Sequence, residues 1–264
     1  MTQTILISGG GRGAGLGIAT TLAGDGHNIV VADLDPNTAE AAAESVRLSG
    51  AESLAIAADV SDEGQVDEMF RRTVERFGTV DVLINCVAWL DPAGPIVDLP
   101  TERWHKAIRT NLDSVMFTTR AALRLMYPQK SGVIVNFSSV SGTRGFPDRA
   151  SYGATKAAII NFTQTTAMEG REHGVRANCL VPGGIEGERT RALREMVARR
   201  AREGGPVASE EVDYPGPPIQ YLTPEWIGRY VRFLMSEDGS MINGQAIPIG
   251  ESARSPLQSI FFDL

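Results

Sequence analysis

The stretch TILISGGGRGAGLGIATTLAGDG, residues 4–26, changes character halfway along. TILIS (4–8) is a β-branched apolar run of strand length, and GLGIATTLAGDG (15–26) is a small-residue helix pattern that ends at glycine. The segment between them, ISGGGRGAGLG, is too rich in glycine to belong wholly to either element. Glycines in such a turn let the backbone approach a phosphate closely. The helix behind the turn supplies free N–H groups and the positive end of its dipole. The spacing is G-x-x-x-G-x-G, at Gly9, Gly13 and Gly15; a second register, Gly11, Gly15 and Gly17, also fits. The first is preferred because it starts directly after the strand. A tight strand–helix turn with no ligand is the plain alternative.

The same alternation runs down the chain. Strand patterns occur at NIVVAD (28–33), SLAIAAD (53–59), VDVLINCVA (80–88), GVIVNFSS (132–139), RANCLVPG (176–183) and GQAIPI (244–249). Helix patterns occur at 36–50, 63–78, 101–127, about 150–171 and 224–236. Strands separated by helices imply an α/β fold, a doubly wound parallel sheet of about seven strands with helices on both faces. One domain over residues 1–264 is expected. Ligands of such sheets sit beyond the carboxyl ends of the strands, at the switch point. The irregular region 184–222, rich in Gly and Pro, has the length of a lid.

Bulk properties narrow the function. With 25 Lys+Arg against 32 Asp+Glu the net charge is −7, which argues against a nucleic-acid or acidic-membrane partner. The one dense basic run, RTRALREMVARRAR (189–202), reads as a solvated helix face, with a site for an anionic substrate group as the sharper alternative. No stretch approaches the ~18–20 apolar residues of a membrane span, and the N-terminus lacks a signal-peptide pattern. Cys86 and Cys179 read as core thiols in a reducing, cytoplasmic compartment. His27, His105 and His173 have no metal-ligand spacing, so no metal is expected.

Asp33 ends the second strand pattern, 20 residues past Gly13, the distance expected of a carboxylate that accepts hydrogen bonds from an adenosine ribose. Its charge would repel a 2′-phosphate and so favours NAD over NADP. Arg12 points the other way, since an arginine in this loop suits a 2′-phosphate. Asp59 and Val60, at the end of the third strand pattern, are placed to flank an adenine; a helix N-cap is the bland reading of Asp59.

ASYGATKAAIINF (150–162) holds one phenol and one ammonium, four residues apart. On a helix Tyr152 and Lys156 share a face, about 5–6 Å apart at Cβ. A free phenol, with a pKa of about 10, is a poor base at neutral pH. A neighbouring ammonium favours the phenolate. Tyr152 is then fit to take a proton from an alcohol as hydride leaves, or to return it. Ser139, 13 residues earlier, lies at a strand end where its hydroxyl can meet the substrate oxygen; Ser138 is the weaker candidate. Asn111 falls mid-helix in IRTNLDSV, where Asn is a poor helix former. A disturbed helix and a held water linking Lys156 to solvent would account for it.

With these motifs in place the chain closely resembles the classical short-chain dehydrogenase/reductase family over about residues 2–250. Ser8-Gly9-x-x-x-Gly13-Ala14-Gly15 matches the family's glycine motif, and Asn111, Ser139, Tyr152 and Lys156 match its catalytic set. VPGGI (181–185) matches the segment that meets the nicotinamide amide, which implies contacts from Pro182, Gly183 and Ile185. The resemblance implies a Rossmann-like fold, NAD(P)-dependent interconversion of an alcohol and a carbonyl compound, and a homo-oligomer, dimer or tetramer.

Three departures stand out. Asn85-Cys86-Val87-Ala88 replaces the family's Asn-Asn-Ala-Gly, with Asn85 and Ala88 as expected cofactor contacts. Gly187 replaces a threonine, with Thr190 later, and Ile249-Gly250-Glu251 replaces Asp-Gly-Gly. A substrate pocket would draw on Trp89, Leu90, Ser141 and Phe146, with Glu188 and Arg189 from the lid. The apolar tail SIFFDL (259–264) would dock on another subunit or on its own chain. The expected function is an NAD-dependent oxidoreductase acting on a small-molecule alcohol or carbonyl compound. A non-catalytic dinucleotide-binding module and an NADP-dependent ketone reductase are the alternatives. An epimerase or dehydratase is disfavoured because such relatives usually carry a larger C-terminal substrate domain.

Overall fold

The computed structural model describes residues 2–90, 94–187 and 221–250, with positions 190, 191, 195, 199 and 202 between the last two blocks. Most of the expected lid, including Glu188 and Arg189, and the tail 259–264 lie outside the described residues.

The elements are β1 (Thr4–Ser8), α1 (Gly13–Ala23), β2 (Asn28–Asp33), α2 (Pro36–Leu48), β3 (Ser53–Ala57), α3 (Glu63–Phe77), β4 (Val82–Asn85), α4 (Thr101–Ala107), α5 (Ser114–Gln129), β5 (Gly132–Phe137), α6 (Ala150–Gly170), β6 (Val175–Pro182), α7 (Pro224–Met235) and β7 (Ala246–Ile249). The strands form one sheet in the order β3-β2-β1-β4-β5-β6-β7, and every neighbouring pair is parallel. This is the Rossmann-like doubly wound sheet, and its order reverses between β1 and β4. The crevice above that switch point is where ligands of such sheets bind.

Alternating side chains divide the core into two layers. Ile5, Ile7, Ile29, Val31, Val82 and Ile84 face α1, α2 and α7. Leu6, Val30, Ala32, Leu83 and Ile134 face the opposite layer, with residues of α3, α5 and α6. Both faces of the central strands are dry, which is why they read as continuous apolar runs rather than alternating ones.

Three helices begin where a side chain closes them. Asp35 accepts from Asn37 N and Asp62 from Gln65 N, while Thr223 accepts from Trp226 N, so α2, α3 and α7 are each capped. Asp62 therefore takes the capping role that Asp59 was the candidate for. Asp59 instead makes a local turn, accepting from Ser61 N at 2.9 Å and Ser61 Oγ at 2.7 Å.

Two element readings change. The pattern at 80–88 yields only Val82–Asn85 as strand; β1 stops at Ser8, the register partner of Asn85, and beyond it Cys86 N makes one last bond to Ser8 O at 2.9 Å. The single helix expected over 101–127 is interrupted by a π-helical turn, Ile108–Asp113, between α4 and α5. Asn111 lies inside that turn, and such turns mark places where a helix yields to another demand. Among the described residues no helix is long and apolar enough to cross a membrane. None of their His, Cys, Asp and Glu side chains group in threes as a metal site would need.

Candidate active site

The glycine-rich end of the site is built from backbone. Gly9 has φ +72°, a left-handed conformation, as the chain turns off β1. A Cβ on it would stand 3.0 Å from Val87 N and 3.1 Å from Val87 Cγ2, so glycine lets the turn pass this close to the chain beyond β4. A Cβ on Gly15 would lie 2.1 Å from the Gly9 carbonyl oxygen, so the helix can start this close to the turn only with glycine. Next to Gly13 there is open space. Unlike α2, α3 and α7, α1 has no side-chain cap: Arg12 holds the N-cap position and makes no cap bond. An open, uncapped helix start framed by glycines fits a diphosphate, whose oxygens would take the free N–H groups.

At the end of β2, Asp33 Oδ2 accepts from Gly11 N at 3.1 Å and Oδ1 from Asp35 N at 3.3 Å. Arg12 does not stand free beside it. Its guanidinium donates to Thr38 Oγ1 at 2.8 Å and to Asp35 Oδ2 at 3.2 Å. Two carboxylates and one engaged arginine therefore surround the place where a ribose would sit. Val60 is buried in the core, so only its backbone is available to a ligand.

The other end of the site depends on buried polar side chains. Lys156 is 1% exposed; its Nζ donates to the Phe137 carbonyl at 2.7 Å and stands 5.7 Å from the centroid of the Tyr152 ring. Asn111, fully buried, clamps the chain beyond β4. Its Oδ1 accepts from Trp89 N at 2.6 Å, and its Nδ2 donates to Trp89 O at 3.0 Å and to Thr155 Oγ1 at 3.2 Å. The π turn brings this side chain to Trp89 and so ties the β4 loop to α6. Ser139 opens a short 3₁₀ turn, Val140–Gly142, and accepts from Ser141 N. Ser138 is different: it is buried and donates to Lys156 O at 2.7 Å, which makes it part of the frame.

Sequence reading missed the layer beneath. Ser8, Asn85 and Asn136 share one register row across β1, β4 and β5. Ser8 Oγ donates to Asn85 Oδ1 at 3.0 Å, Asn85 Nδ2 to Asn136 Oδ1 at 2.9 Å, and Asn136 Nδ2 to Thr163 Oγ1 at 2.9 Å. Thr118 of α5 adds a bond to Asn85 Oδ1 at 2.8 Å. The side chain of Asn85, an expected cofactor contact, is thus consumed inside the sheet, and only its backbone is left to meet a ligand. Each Asn stands out as a polar residue in an otherwise apolar strand, but no sequence signal pairs one with the other. Cys86 follows Asn85, and burial pushes its thiol up to about 12, against the pull of the Lys156 ammonium.

The sixth strand ends at Pro182, and Gly183 N donates to Ile249 O at 3.0 Å, which holds the PGGI segment against β7. Ile185 pairs with Leu222, and the Thr190 hydroxyl returns to the Ile185 carbonyl. Ala88, Trp89 and Leu90 are half-buried beyond β4, and Ser141 and Phe146 are half-buried beyond β5. The described part of the expected pocket is therefore drawn from neighbouring strand ends.

A sequence profile described as enoyl-(acyl carrier protein) reductase matches residues 9–250. The chain belongs to the short-chain dehydrogenase/reductase family. It is an oxidoreductase of that family by this match and by its relatives. A 3-oxoacyl-[acyl-carrier-protein] reductase FabG of Staphylococcus epidermidis is 33% identical over 252 residues, covering 94% of this chain and 98% of that one. The levodione reductase of Leifsonia aquatica is 32% identical over 255 residues, covering 95% and 94%. Among solved structures, NAD+-bound xylitol dehydrogenase superposes with a TM-score of 0.87 at 28% identity, covering 95% and 98%. A levodione reductase structure gives 0.87 at 30% identity, covering 98% of each chain. In this short-chain dehydrogenase/reductase the four residues expected from the sequence to be catalytic lie in the π turn (Asn111), just past β5 (Ser139) and on the first turns of α6 (Tyr152 and Lys156).

Proposed function

We propose that the protein is an NAD-dependent dehydrogenase/reductase that interconverts a secondary, aryl or cyclic alcohol and its carbonyl compound, with Tyr152 as general acid/base. The observation that carries this reading is Lys156: a lysine removed from water, anchored on Phe137 O, with its ammonium facing the Tyr152 ring. Burying an ammonium is costly, and a leucine would fill the space at no such cost. The charge is explained by its effect on the phenol, whose ionised form it favours.

Bound NAD supplies a hydride acceptor, and its reduced form a hydride donor. Gly9, Gly11, Arg12, Gly13, Ala14 and Gly15 would hold its diphosphate, and Asp33 its ribose. Asp59 and Val60 would flank the adenine. Asn85, Ala88, Pro182, Gly183 and Ile185 would meet the nicotinamide half. Tyr152 takes the hydroxyl proton of the alcohol at its Oη, or donates it to the carbonyl oxygen in reduction. Ser139 hydrogen-bonds the same oxygen. Asn111 positions Trp89 and Thr155 around them. NAD over NADP is supported by Asp33 and Asp35, two negative charges where a 2′-phosphate would need positive ones, and by the engagement of Arg12 with Asp35. The reductases among the relatives support the carbonyl-to-alcohol direction, and an NADP-dependent ketone reductase is the second reading.

The substrate is a small molecule. A homo-oligomer, dimer or tetramer, is supported by Trp226, Tyr230 and Phe233, which stand 52%, 37% and 43% exposed at i, i+4 and i+7 of α7. Two free thiols fit a cytoplasmic setting. The test is a screen of NAD+ reduction over alcohol classes and NADH oxidation over ketones, with Tyr152→Phe in parallel. Tyr152→Phe should bind NADH but lose about 10²–10⁴-fold in turnover, the usual worth of a general acid/base. A wild-type protein that binds NADH and turns over nothing would establish the non-catalytic alternative.

A further inference from the structure

Residues 138–149 link the end of β5 to α6 and so run through Ser139 to the turn carrying Tyr152. They include two arginines, in the run TRGFPDRASY (143–152). Both are half-buried. The Nε and Nη2 atoms of Arg144 are shielded from solvent, and its guanidinium carbon lies 4.7 Å from the centroid of the Phe146 ring. Arg149 holds the N-cap position of α6, three residues before Tyr152, and its side chain makes no cap bond. Desolvation pulls its pKa below the usual arginine value, while Tyr152 and Asp148 act in the opposite sense. Arg149 is therefore a cation drawn out of water with the phenol of the site in its field.

The other arginines show what the ordinary uses look like. Arg47, Arg71 and Arg232 lie on the surface against carboxylates. Arg176 is partly buried, but its guanidinium is consumed by the carbonyls of Gly239, Ile242 and Leu234, where it ties the end of α7 to the sheet. Arg149 has neither explanation: among the described residues its guanidinium makes no hydrogen bond or ion pair, with Asp148 the one carboxylate acting on it. A guanidinium carries five donors in a planar fork, so one nearby carboxylate leaves most of them for another acceptor.

We propose that Arg149 binds an anionic group of the substrate, a carboxylate or a phosphate, beside the alcohol or carbonyl that Tyr152 serves, with Arg144 as a second cation on the same loop. The proposal rests on the oxidoreductase reading above and narrows its substrate to a hydroxy acid or oxo acid, or a phosphate ester of similar size. The planar fork matches two coplanar oxygens, and a partly dehydrated site strengthens the contact. Held by its anionic end, a short substrate has little freedom left, and its oxygen is brought to Ser139 and Tyr152.

The experiment compares C3–C6 oxo acids with their methyl esters, using NADH, in wild type, Arg149→Met and Arg149→Lys. The expected result is a preference for the acid over the ester of about ten- to a hundredfold in wild type, the worth of one charge-assisted contact. The preference should collapse in Arg149→Met and return in part in Arg149→Lys. Equal turnover of acid and ester by wild type, or the same ratio in Arg149→Met, would overturn the proposal. A second readout needs no turnover: malonate and inorganic phosphate are titrated into the NADH complex and followed by bound-NADH fluorescence. Binding by wild type that weakens about tenfold or more in Arg149→Met supports the anion site even if no substrate is reduced, in which case only the oxidoreductase reading fails. Malonate without phosphate identifies a carboxylate site, and phosphate without malonate a phosphate site. Neither binding, or equal binding by both proteins, rejects it.

Discussion

At the carboxyl edge of β1 and β2 the site is made of main chain, and at that of β4 and β5 it is made of buried side chains. The first region offers a turn at Gly9, open space at Gly13 and the uncapped start of α1. Its polar groups are N–H donors fixed by backbone geometry, so they need no rotamer to be held. The second region offers Lys156, Asn111 and Ser139, side chains held in place by hydrogen bonds with the Phe137 carbonyl, with Trp89 N and with Ser141 N respectively. Beneath them the Ser8–Asn85–Asn136–Thr163 chain crosses the sheet. A site that receives a large anion is best served by rigid main-chain donors. A site that moves a proton needs titratable groups, and these must be locked from behind to stay in place.

The comparison breaks most severely at Gly15. Adding a side chain there drives Cβ into the Gly9 carbonyl, backbone against backbone, with no flexible end to give way. Gly15→Val should cost about 3 kcal/mol or more of stability, at the upper end of overpacking effects, and abolish NADH binding. Thermal unfolding and NADH fluorescence titration measure both. A variant that folds and binds normally would mean that the glycine turn has room to relax and does not form the cradle.

The two regions were also unequally legible in the sequence. A glycine that must be glycine is visible as spacing, so Gly9, Gly13 and Gly15 could be read together with the strand before them and the helix after. Tyr152 and Lys156 were legible because helical periodicity puts them on one face. Asn111 was legible as a misfit, and the π turn around it shows why the misfit is tolerated. The Asn85–Asn136 row was not legible, because register between β4 and β5 is set by tertiary pairing over 51 residues and no local pattern encodes it. Nor could the sequence separate Ser138 from Ser139: both follow the same strand, and only the direction of the side chain sends one to Lys156 O and leaves the other beside the site.

The side-chain half should fail through its support before it fails through its chemistry. Asn136→Ala removes the acceptor of Asn85 Nδ2 and the donor to Thr163 at a fully buried position. Leaving such partners unsatisfied should cost about 2–3 kcal/mol, seen as a lower denaturant midpoint. Lys156 is bonded to the carbonyl of the next residue, Phe137, so turnover should fall with the stability while NADH binding changes less. If NADH affinity fell as far as turnover, the backbone half and the side-chain half would act as one unit and not as two.

The smallest expected effect falls on the boundary between the two strategies, at Asp33. It is a side chain in the backbone half, and its Oδ2 is partly spent on Gly11 N. Asp33→Ser keeps a short acceptor for that N–H but removes the charge. The local balance then shifts from two carboxylates and one arginine to one of each, Asp35 and Arg12, which already touch. A 2′-phosphate is admitted more readily, yet Arg12 must leave Asp35 and Thr38 to greet it, so the gain is limited. The ratio of NADPH to NADH affinity should rise by about tenfold, the worth of one hydrogen-bonded charge, with little change in stability. Parallel fluorescence titrations with the two reduced cofactors measure it. An unchanged ratio would place the discrimination on Arg12, and comparable affinities already in the wild type would remove the argument for NAD while leaving Tyr152 and Lys156 untouched.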